Sequence, residues 1–312
     1  MLGSLQSPIA VVAHDAGAAN HIIAWLKNAD CNHVHACLTG PALALWRHAF
    51  PCIPIGDLTD TVAKSRTLIS GTGWGSSLEH DSRKMACQLS IKSIAVIDHW
   101  TNYRERFIRG GVEILPNEIW LTDEYAKKLA ESEFANLKIV QLPNLYLDDL
   151  VQQVRQHERV RVNRTGKGNN LLYVLEPIRQ AWGAGEVAGE FMGLECFVKN
   201  MGLLQLGSDL SIRLRPHPSD PAGKYDQWIE GQNNLEISLD DSLTLAEAIA
   251  WSDIVVGCQT YAMVVALVAG RRVISSIPCW APPCVLPQAG IIKLSELLPP
   301  NIAAANVISL KN

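Results

Sequence analysis

Cysteine is sparse in this sequence, 8 in 312 residues, and no C-x-x-C pair occurs. A disulfide scaffold is therefore excluded, and Cys279 and Cys284 have the wrong spacing for a zinc knuckle. Neither sign of charge dominates: 27 Lys+Arg stand against 31 Asp+Glu, a formal net charge of −4. That balance argues against a dedicated nucleic-acid binder, which shows a strongly basic face. The two longest uncharged windows are both interrupted. Ile254–Gly270 contains Cys258-Gln259-Thr260, and Val273–Ile292 is broken by Pro278, Pro282, Pro283 and Pro287. Neither supplies the ~20 apolar residues of a spanning helix. The N-terminal MLGSLQSPIAVVAHD has no cationic region leading into a long apolar stretch. The expectation is a cytoplasmic protein with reduced cysteines and no membrane span, with peripheral association left open. There is no low-complexity tract and no short-period repeat, and no G-x-G-x-x-G supports a dinucleotide fingerprint.

What is present is a large apolar fraction, 48%, with 19% charged residues. That excludes intrinsic disorder, and the length suggests about two domains. Short apolar runs alternate with helical patterns. In the first half the strand candidates are Ile9–Ala13, Val34–Leu38, Thr67–Ser70, Ile91–Asp98, Glu118–Thr122 and Lys138–Leu142. Helical stretches at Ala18–Asn28, Ala42–Ala49, Ser76–Leu89 and Glu124–Phe134 separate them. This spacing predicts βαβ units around a parallel sheet. Runs such as IAVVA and SIAVI are apolar on both faces, as strands covered on both sides require. The alternation stops at the polar, basic Gln152–Gly168, read as a solvated helix end and hinge or as a phosphate-attracting patch. It resumes with strands at Leu171–Leu175, Leu210–Leu214, Leu235–Ser238, Ile254–Val256 and Val273–Ser276. Helices are expected at Gly185–Met201, Lys224–Glu230, Ser242–Trp251 (with Ser242 as cap) and Thr260–Ala269. The reading is an α/β protein of two Rossmann-like domains facing each other across a cleft. Residues 1–151 form the first, 152–168 a basic linker, and 169–312 the second.

Ligands of open α/β sheets bind beyond the carboxyl ends of the strands, so the residues following each strand carry the functional argument. His14-Asp15-Ala16-Gly17 runs into a helix through Asn20. Its N–H groups could face an anion or a hydroxyl, and Asp15 is either a general base or a helix cap. Gly71–Ser77 holds three glycines around Trp74. Gly73 would let the backbone approach a ligand and Trp74 would stack on a sugar or base, unless the segment is a tight turn with Trp74 as a core plug. Glu79 and Arg83 share a helix face and are expected to form a surface pair. Asp98-His99-Trp100 ends an apolar strand, and His99 is a second candidate base. Asn102–Arg106, with Tyr103, is placed at a cleft mouth.

In the second half, Arg213-Leu214-Arg215-Pro216-His217-Pro218 is the sharpest signal. Prolines fix the backbone on either side of His217, and a pinned imidazole beside Arg215 suits a phosphate. Glu176 follows one strand. Gly257-Cys258-Gln259-Thr260 ends another and opens a helix whose N-terminus would favour phosphate. Cys258 is a minor candidate nucleophile without a partner in the sequence.

These residues resemble a known family. The Arg-x-Arg-Pro-His-Pro turn, the strand–turn–helix at Gly257–Thr260 and the following Gly270-Arg271-Arg272-Val273-Ile274-Ser275 are similar to the GT-B glycosyltransferases. The likeness is to bacterial sialyltransferases and polysialyltransferases, capsule Kdo transferases and teichoic-acid glycerophosphotransferases. It implies that His217-Pro218 binds the donor phosphate and that Cys258-Gln259-Thr260 stands at the second nucleotide-binding turn, where Thr260 keeps a hydroxyl. It also implies a base, Asp15 or His99, on the N-terminal half.

The expected function is transfer of a sugar, of sialic-acid-like or Kdo-like type, from a nucleotide donor to a surface-glycan acceptor in polysaccharide biosynthesis. No Asp-x-Asp occurs, so the reaction is expected to be metal-independent and without cofactor. The partners would be nucleotide-sugar donor and glycan acceptor, with no nucleic acid. Two alternatives remain. One is a UDP-sugar 2-epimerase-like enzyme using Asp98, Glu79 and Glu176 for proton transfer. The other is an inert nucleotide-sugar-binding protein.

Overall fold

The computed structural model describes residues 2–29, 33–161, 169–183, 187–206 and 210–298. The chain divides into two compact units, Met1–Asp148 and Asp149–Asn312.

The first unit runs β1 (Ile9–Ala13), α1 (Ala16–Lys27), β2 (Val34–Leu38), α2 (Gly40–Ala49), α3 (Leu58–Ala63), β3 (Thr67–Ser70), α4 (Leu78–Gln88) and β4 (Lys92–Val96). A two-stranded hairpin, β5 (Ile108–Arg109) and β6 (Val112–Glu113), precedes β7 (Glu118–Leu121), α5 (Glu124–Glu133) and β8 (Lys138–Gln141); α6 (Leu145–Arg161) begins in this unit and continues into the second. Six strands form a parallel sheet in the order β2-β1-β3-β4-β7-β8. Every residue of β1, β3 and β7 is buried, because helices cover both faces. One face holds Ile22, Trp25, Trp46, Ile69 and Trp120, and the other holds Ala10, Val12, Val62, Leu68 and Ala86. The edge strand β8 is more exposed. Burying each large side chain contributes about 1.5–3 kcal/mol.

The second unit runs β9 (Asn169–Val174), α7 (Gly189–Asn200), β10 (Leu210–Arg215), α8 (Asp226–Glu230), β11 (Glu236–Leu239), α9 (Leu245–Trp251), β12 (Ile254–Gly257), α10 (Tyr261–Val268), β13 (Arg272–Ser275) and β14 (Ile291–Lys293). Its six strands are parallel in the order β11-β10-β9-β12-β13-β14. The expected α/β class of two Rossmann-like units is the observed one.

Differences from the sequence reading are local. Gln152–Arg161 continues α6, and Val162–Gly168 lies outside the described residues. So does the expected start of a helix at Gly185; α7 begins at Gly189. Ser242 is not the cap of α9: Thr244 is, accepting from the Glu247 N–H, while the Ser242 hydroxyl donates to Asp240 (2.7 Å). Among the described residues, no helix is long and apolar enough to cross a membrane, and no group of three or more His, Cys, Asp or Glu could hold a metal ion.

Strand order fixes where a ligand belongs. In the first unit the chain winds outward from β1 to β2, then crosses to β3 on the other side of β1. In the second it winds from β9 through β10 to β11, then crosses to β12. The switch points lie between β1 and β3 and between β9 and β12, where the loops at the carboxyl ends diverge and leave a crevice.

Gly257 ends β12 at the second switch point. A Cβ there would stand 2.9 Å from the Val174 carbonyl oxygen and 3.0 Å from the Met263 sulfur. The carbonyl belongs to the neighbouring strand and cannot retreat. Gly257→Ala is expected to cost about 1–3 kcal/mol of stability as an overpacked site, read as a lowered urea midpoint at unchanged slope.

Candidate functional site

At the first switch point, Asp15 and the loop after β3 are tied together. Asp15 has the extended backbone of an N-cap (φ −87°, ψ 153°), yet its side chain makes no cap hydrogen bond. Its carboxylate is spent elsewhere. Oδ1 meets His14 Nδ1 at 2.6 Å, and Oδ2 accepts from the Trp74 N–H at 2.9 Å. Helix capping thus gives way to a contact between the loops after β1 and β3. The His14 N–H in turn donates to Glu79 Oε1 at 2.9 Å.

Glycines make room for these side chains. A Cβ on Gly73 would lie 1.9 Å from Asp15 Oδ2, and one on Gly17 would lie 1.6 Å from Asp98 Oδ2. A Cβ on Gly71 would lie 2.7 Å from Glu79 Oε1. Asp98 therefore stands beside the start of α1, which favours the hydroxyl over the anion among the groups expected at Ala18–Asn20. Such a constellation suits a neutral or hydrogen-donating group better than a phosphate.

Glu79 and Arg83 are not a surface pair. Each is about 2% exposed, because α4 turns this face onto the sheet. Burial pushes the Glu79 carboxyl upward, helped by Asp15 and opposed by the His14 N–H, and its Oε2 has no hydrogen-bond partner. Arg83 is pushed down to about 10, chiefly by burial, and remains a cation at neutral pH. It donates to Ser70 Oγ and to the Gly71 carbonyl (2.9 Å). Arg106 reaches the Thr72 carbonyl (3.3 Å), and Arg109 reaches those of Gly73 (2.9 Å) and Ser76 (3.1 Å). Three guanidinium groups thus hold the glycine loop by its carbonyls. The loop is a braced scaffold, and Trp74 is no core plug: its side chain is 45% exposed with Arg109 over the ring.

At the end of β4, Asp98 pairs with Arg106 at 3.6 Å. His99 Nδ1 meets Thr101 Oγ1 at 3.1 Å, and burial holds its pKa below the ordinary histidine value against the pull of Asp98. Tyr103 departs from expectation. It is buried, and its hydroxyl donates to the Ala126 carbonyl (3.2 Å), so it lines no cleft mouth.

At the second switch point, Glu176 follows β9, and its Oε2 accepts from the Gln259 N–H at 3.2 Å. Burial pushes its carboxyl up to about 7, against that hydrogen bond and with help from Glu190. Thr260 is the N-cap residue of α10 by backbone, with its hydroxyl uncommitted to capping. Gln259 Oε1 accepts from the Val285 N–H (3.3 Å). Cys258 is 3% exposed, and burial raises its thiol well above the ordinary range, so it is no nucleophile.

On the other side of β9, the Pro216–Pro218 turn is held by Asp220. This buried carboxylate accepts from the His217 N–H (3.1 Å), Tyr225 OH (3.0 Å) and Lys224 Nζ (2.7 Å). Burial would push the Asp220 pKa up, but these donors together bring it below the ordinary value. The Ser219 hydroxyl stands 2.8 Å from His217 Nδ1, and the Ser219 N–H, which can only donate, meets the same nitrogen at 3.1 Å. Nδ1 is thereby an acceptor, which places the proton of the neutral ring on Nε2. Burial lowers the His217 pKa, with Asp220 opposing and Arg179 and Lys224 assisting. At neutral pH the side chain therefore presents one N–H donor.

Arg215 differs from the free clamp expected of it. Its Nη1 is taken by Asp240, a fully buried carboxylate, and by the Ser242 carbonyl. Arg213 pairs with Asp241 (2.9 Å) and lies over Trp251. The sequence reading missed Arg179. Its backbone is left-handed (φ 53°), its N–H is held by Glu190 (2.6 Å), and its charge bears on His217. It also missed His14 and the bracing arginines. For His14 the available signal was a histidine adjoining the acid at a strand end.

No protein-family model matches the chain, and no curated protein matches it. Solved structures do share its fold. The UDP-GlcNAc 2-epimerase from Neisseria meningitidis bound to UDP-GlcNAc has a TM-score of 0.54 at 12% identity, covering 82% of this chain and 78% of that one. The S. aureus MnaA–UDP co-structure gives 0.56 at 12%, covering 86% and 78%. The UDP-N-acetylglucosamine 2-epimerase from Rickettsia bellii gives 0.53 at 10%, covering 87% and 81%. At these identities the likeness is one of fold, a GT-B-like pair of Rossmann-type units.

The Glu176 geometry has a pH signature. Its folded pKa of about 7 exceeds the ~4.3 of a free glutamate. The folded chain therefore binds more protons between those values, and stability falls as pH rises through that window. Above it, the ionised carboxylate competes with any anion for the Gln259 N–H. Glu176→Gln should flatten the decline of denaturation midpoint between pH 5 and 8.

Proposed function

We infer that the chain is a nucleotide-sugar-dependent glycosyltransferase. The second unit takes the donor, and the first supplies the base and takes the acceptor. The observation that carries this reading is His217. Its turn is pinned by a buried aspartate, and its neutral tautomer leaves Nε2–H as a ready donor. Its neighbours suit a phosphate-bearing ligand. Strands lie ~4.8 Å apart, so the turns after β10 and β12, flanking Glu176, begin about 10 Å apart, a span that fits a diphosphate or phosphodiester. Arg179 adds a cation, Thr260 a hydroxyl and the start of α10 a partial positive charge. Together these groups would neutralise charge growing on the leaving phosphate. Two of the solved structures that share the fold hold UDP-GlcNAc or UDP, which supports a nucleotide ligand.

The first unit complements this. It offers acids and imidazoles where the second offers donors, and the exposed Trp74 gives a sugar ring a face to stack on. The acceptor reading follows: a glycan hydroxyl that must lose a proton. The donor sugar is proposed to be of the sialic-acid-like or Kdo-like type. A 2-epimerase-like reaction is the second reading, favoured by Asp15, Glu79 and Asp98 sharing one sheet edge. Glu79 weakens it, being too buried to meet a substrate.

Incubation with CMP- and UDP-sugars separates the readings. Acceptor-dependent nucleotide release, undiminished by EDTA, supports transfer. Free UDP with an epimerised sugar supports the second reading, and binding without turnover supports an inert binding protein. His217→Ala should lower turnover by about 10²–10³, comparable to losing one transition-state donor, with circular dichroism unchanged. Asp15→Asn should abolish transfer while leaving the Kd for nucleotide nearly unaltered.

A further inference from the structure

We propose that His14 is the proton acceptor of the first unit, with Asp15 as its positioning residue. The substrate in this proposal rests on the glycosyl-transfer reading, whereas the dyad rests on geometry alone. Asp15 meets His14 Nδ1 at 2.6 Å through one oxygen and accepts the Trp74 N–H (2.9 Å) through the other. A carboxylate only accepts, so in the neutral ring the proton sits on Nδ1 and the lone pair on Nε2. Among the described residues Nε2 makes no hydrogen bond, and the side chain keeps 22% exposure. His99 lacks this definition: its Nδ1 partner is the Thr101 hydroxyl (3.1 Å), which can donate or accept.

The ring is also wedged in place. A Cβ on Gly40, the first residue of α2, would lie 2.6 Å from Nε2, and one on Gly75 would lie 2.7 Å from Cε1. Gly40 has φ +54°, a conformation glycine accepts without strain. The buried Glu79 anchors the His14 backbone at 2.9 Å. Loops after three neighbouring strands, β2, β1 and β3, therefore fix one imidazole, as a preorganised base requires.

In the step itself, the acceptor hydroxyl gives its proton to Nε2, and the imidazolium keeps its Nδ1–H on Asp15. The hydroxyl oxygen's electron pair forms the bond to the donor's anomeric carbon. The carbon–oxygen bond to the nucleotide phosphate breaks, and its pair departs with the phosphate. The imidazolium then returns its proton to water.

The full chain, free of substrate, is tested by long-range ¹⁵N NMR of its histidine rings, with His14→Gln assigning the signals. A protonated Nδ1 and an unprotonated Nε2 at His14 are expected, with the tautomer disturbed in Asp15→Asn. A protonated Nε2 in the wild type overturns the dyad whatever the enzyme's substrate. Turnover is then measured with the CMP- or UDP-sugar that supports acceptor-dependent release. His14→Ala and His14→Gln should lower kcat by about 10²–10⁴, with acceptor KM and UDP or CMP affinity within about threefold. Transfer within threefold of wild type in both variants, or loss confined to His99→Ala, overturns the assignment. A wild type that transfers nothing defeats the glycosyl-transfer reading, and the dyad is then decided by the NMR arm.

Discussion

In each unit a carboxylate placed after the first strand accepts a backbone N–H from the loop across the switch point. Asp15 takes the Trp74 N–H at 2.9 Å, and Glu176 takes that of Gln259 at 3.2 Å. The two contacts solve the same problem. A parallel sheet that winds outward in both directions leaves its central loops diverging, with backbone donors facing the gap. A side chain from the first loop accepts from one such donor and ties the two loops together. The other site groups follow from this tie: His14 through the free Asp15 oxygen, and α10 through the residue before its cap.

The units differ in what surrounds the shared device. Near Asp15 lie more acids and two histidines, and the arginines there are consumed by carbonyls of the glycine loop. Near Glu176 the buried acids Asp220, Asp240 and Glu190 each hold a cation or an N–H, leaving an imidazole donor and Arg179 toward solvent. In the proposed transfer, one edge takes a proton and the other gives hydrogen bonds. This division of chemistry between similar halves is what the proposed transfer demands.

Much of the architecture was legible in the sequence, because a sheet covered on both faces demands strands apolar on both faces, and IAVVA and SIAVI are such runs. The rule that ligands gather at strand ends pointed to Asp15, Trp74, Asp98, Glu176 and His217 without contacts in hand. What stayed hidden depended on direction. Glu79 and Arg83 have the spacing of an exposed ion pair, and nothing in that spacing says which side of α4 faces the sheet. Asp15 has the identity and position of a cap, but the competing imidazole is visible only in three dimensions. Arg215 sits beside His217 in sequence, yet Asp240, brought alongside by the pairing of β10 with β11, claims its guanidinium. Short elements such as α3 and β14 carry too few residues for a periodic pattern to emerge.

The first unit sets five glycines, at 17, 40, 71, 73 and 75, against four ionisable side chains, Asp98, His14, Glu79 and Asp15, at separations no methyl group could share. The chemistry is thus encoded twice, once in the reactive groups and once in the emptiness beside them. A relative that retains these acids and imidazoles but carries alanine at such a position would keep the letters of the machinery without its shape. Among divergent chains of this architecture, glycine at these positions would mark a site of the same shape.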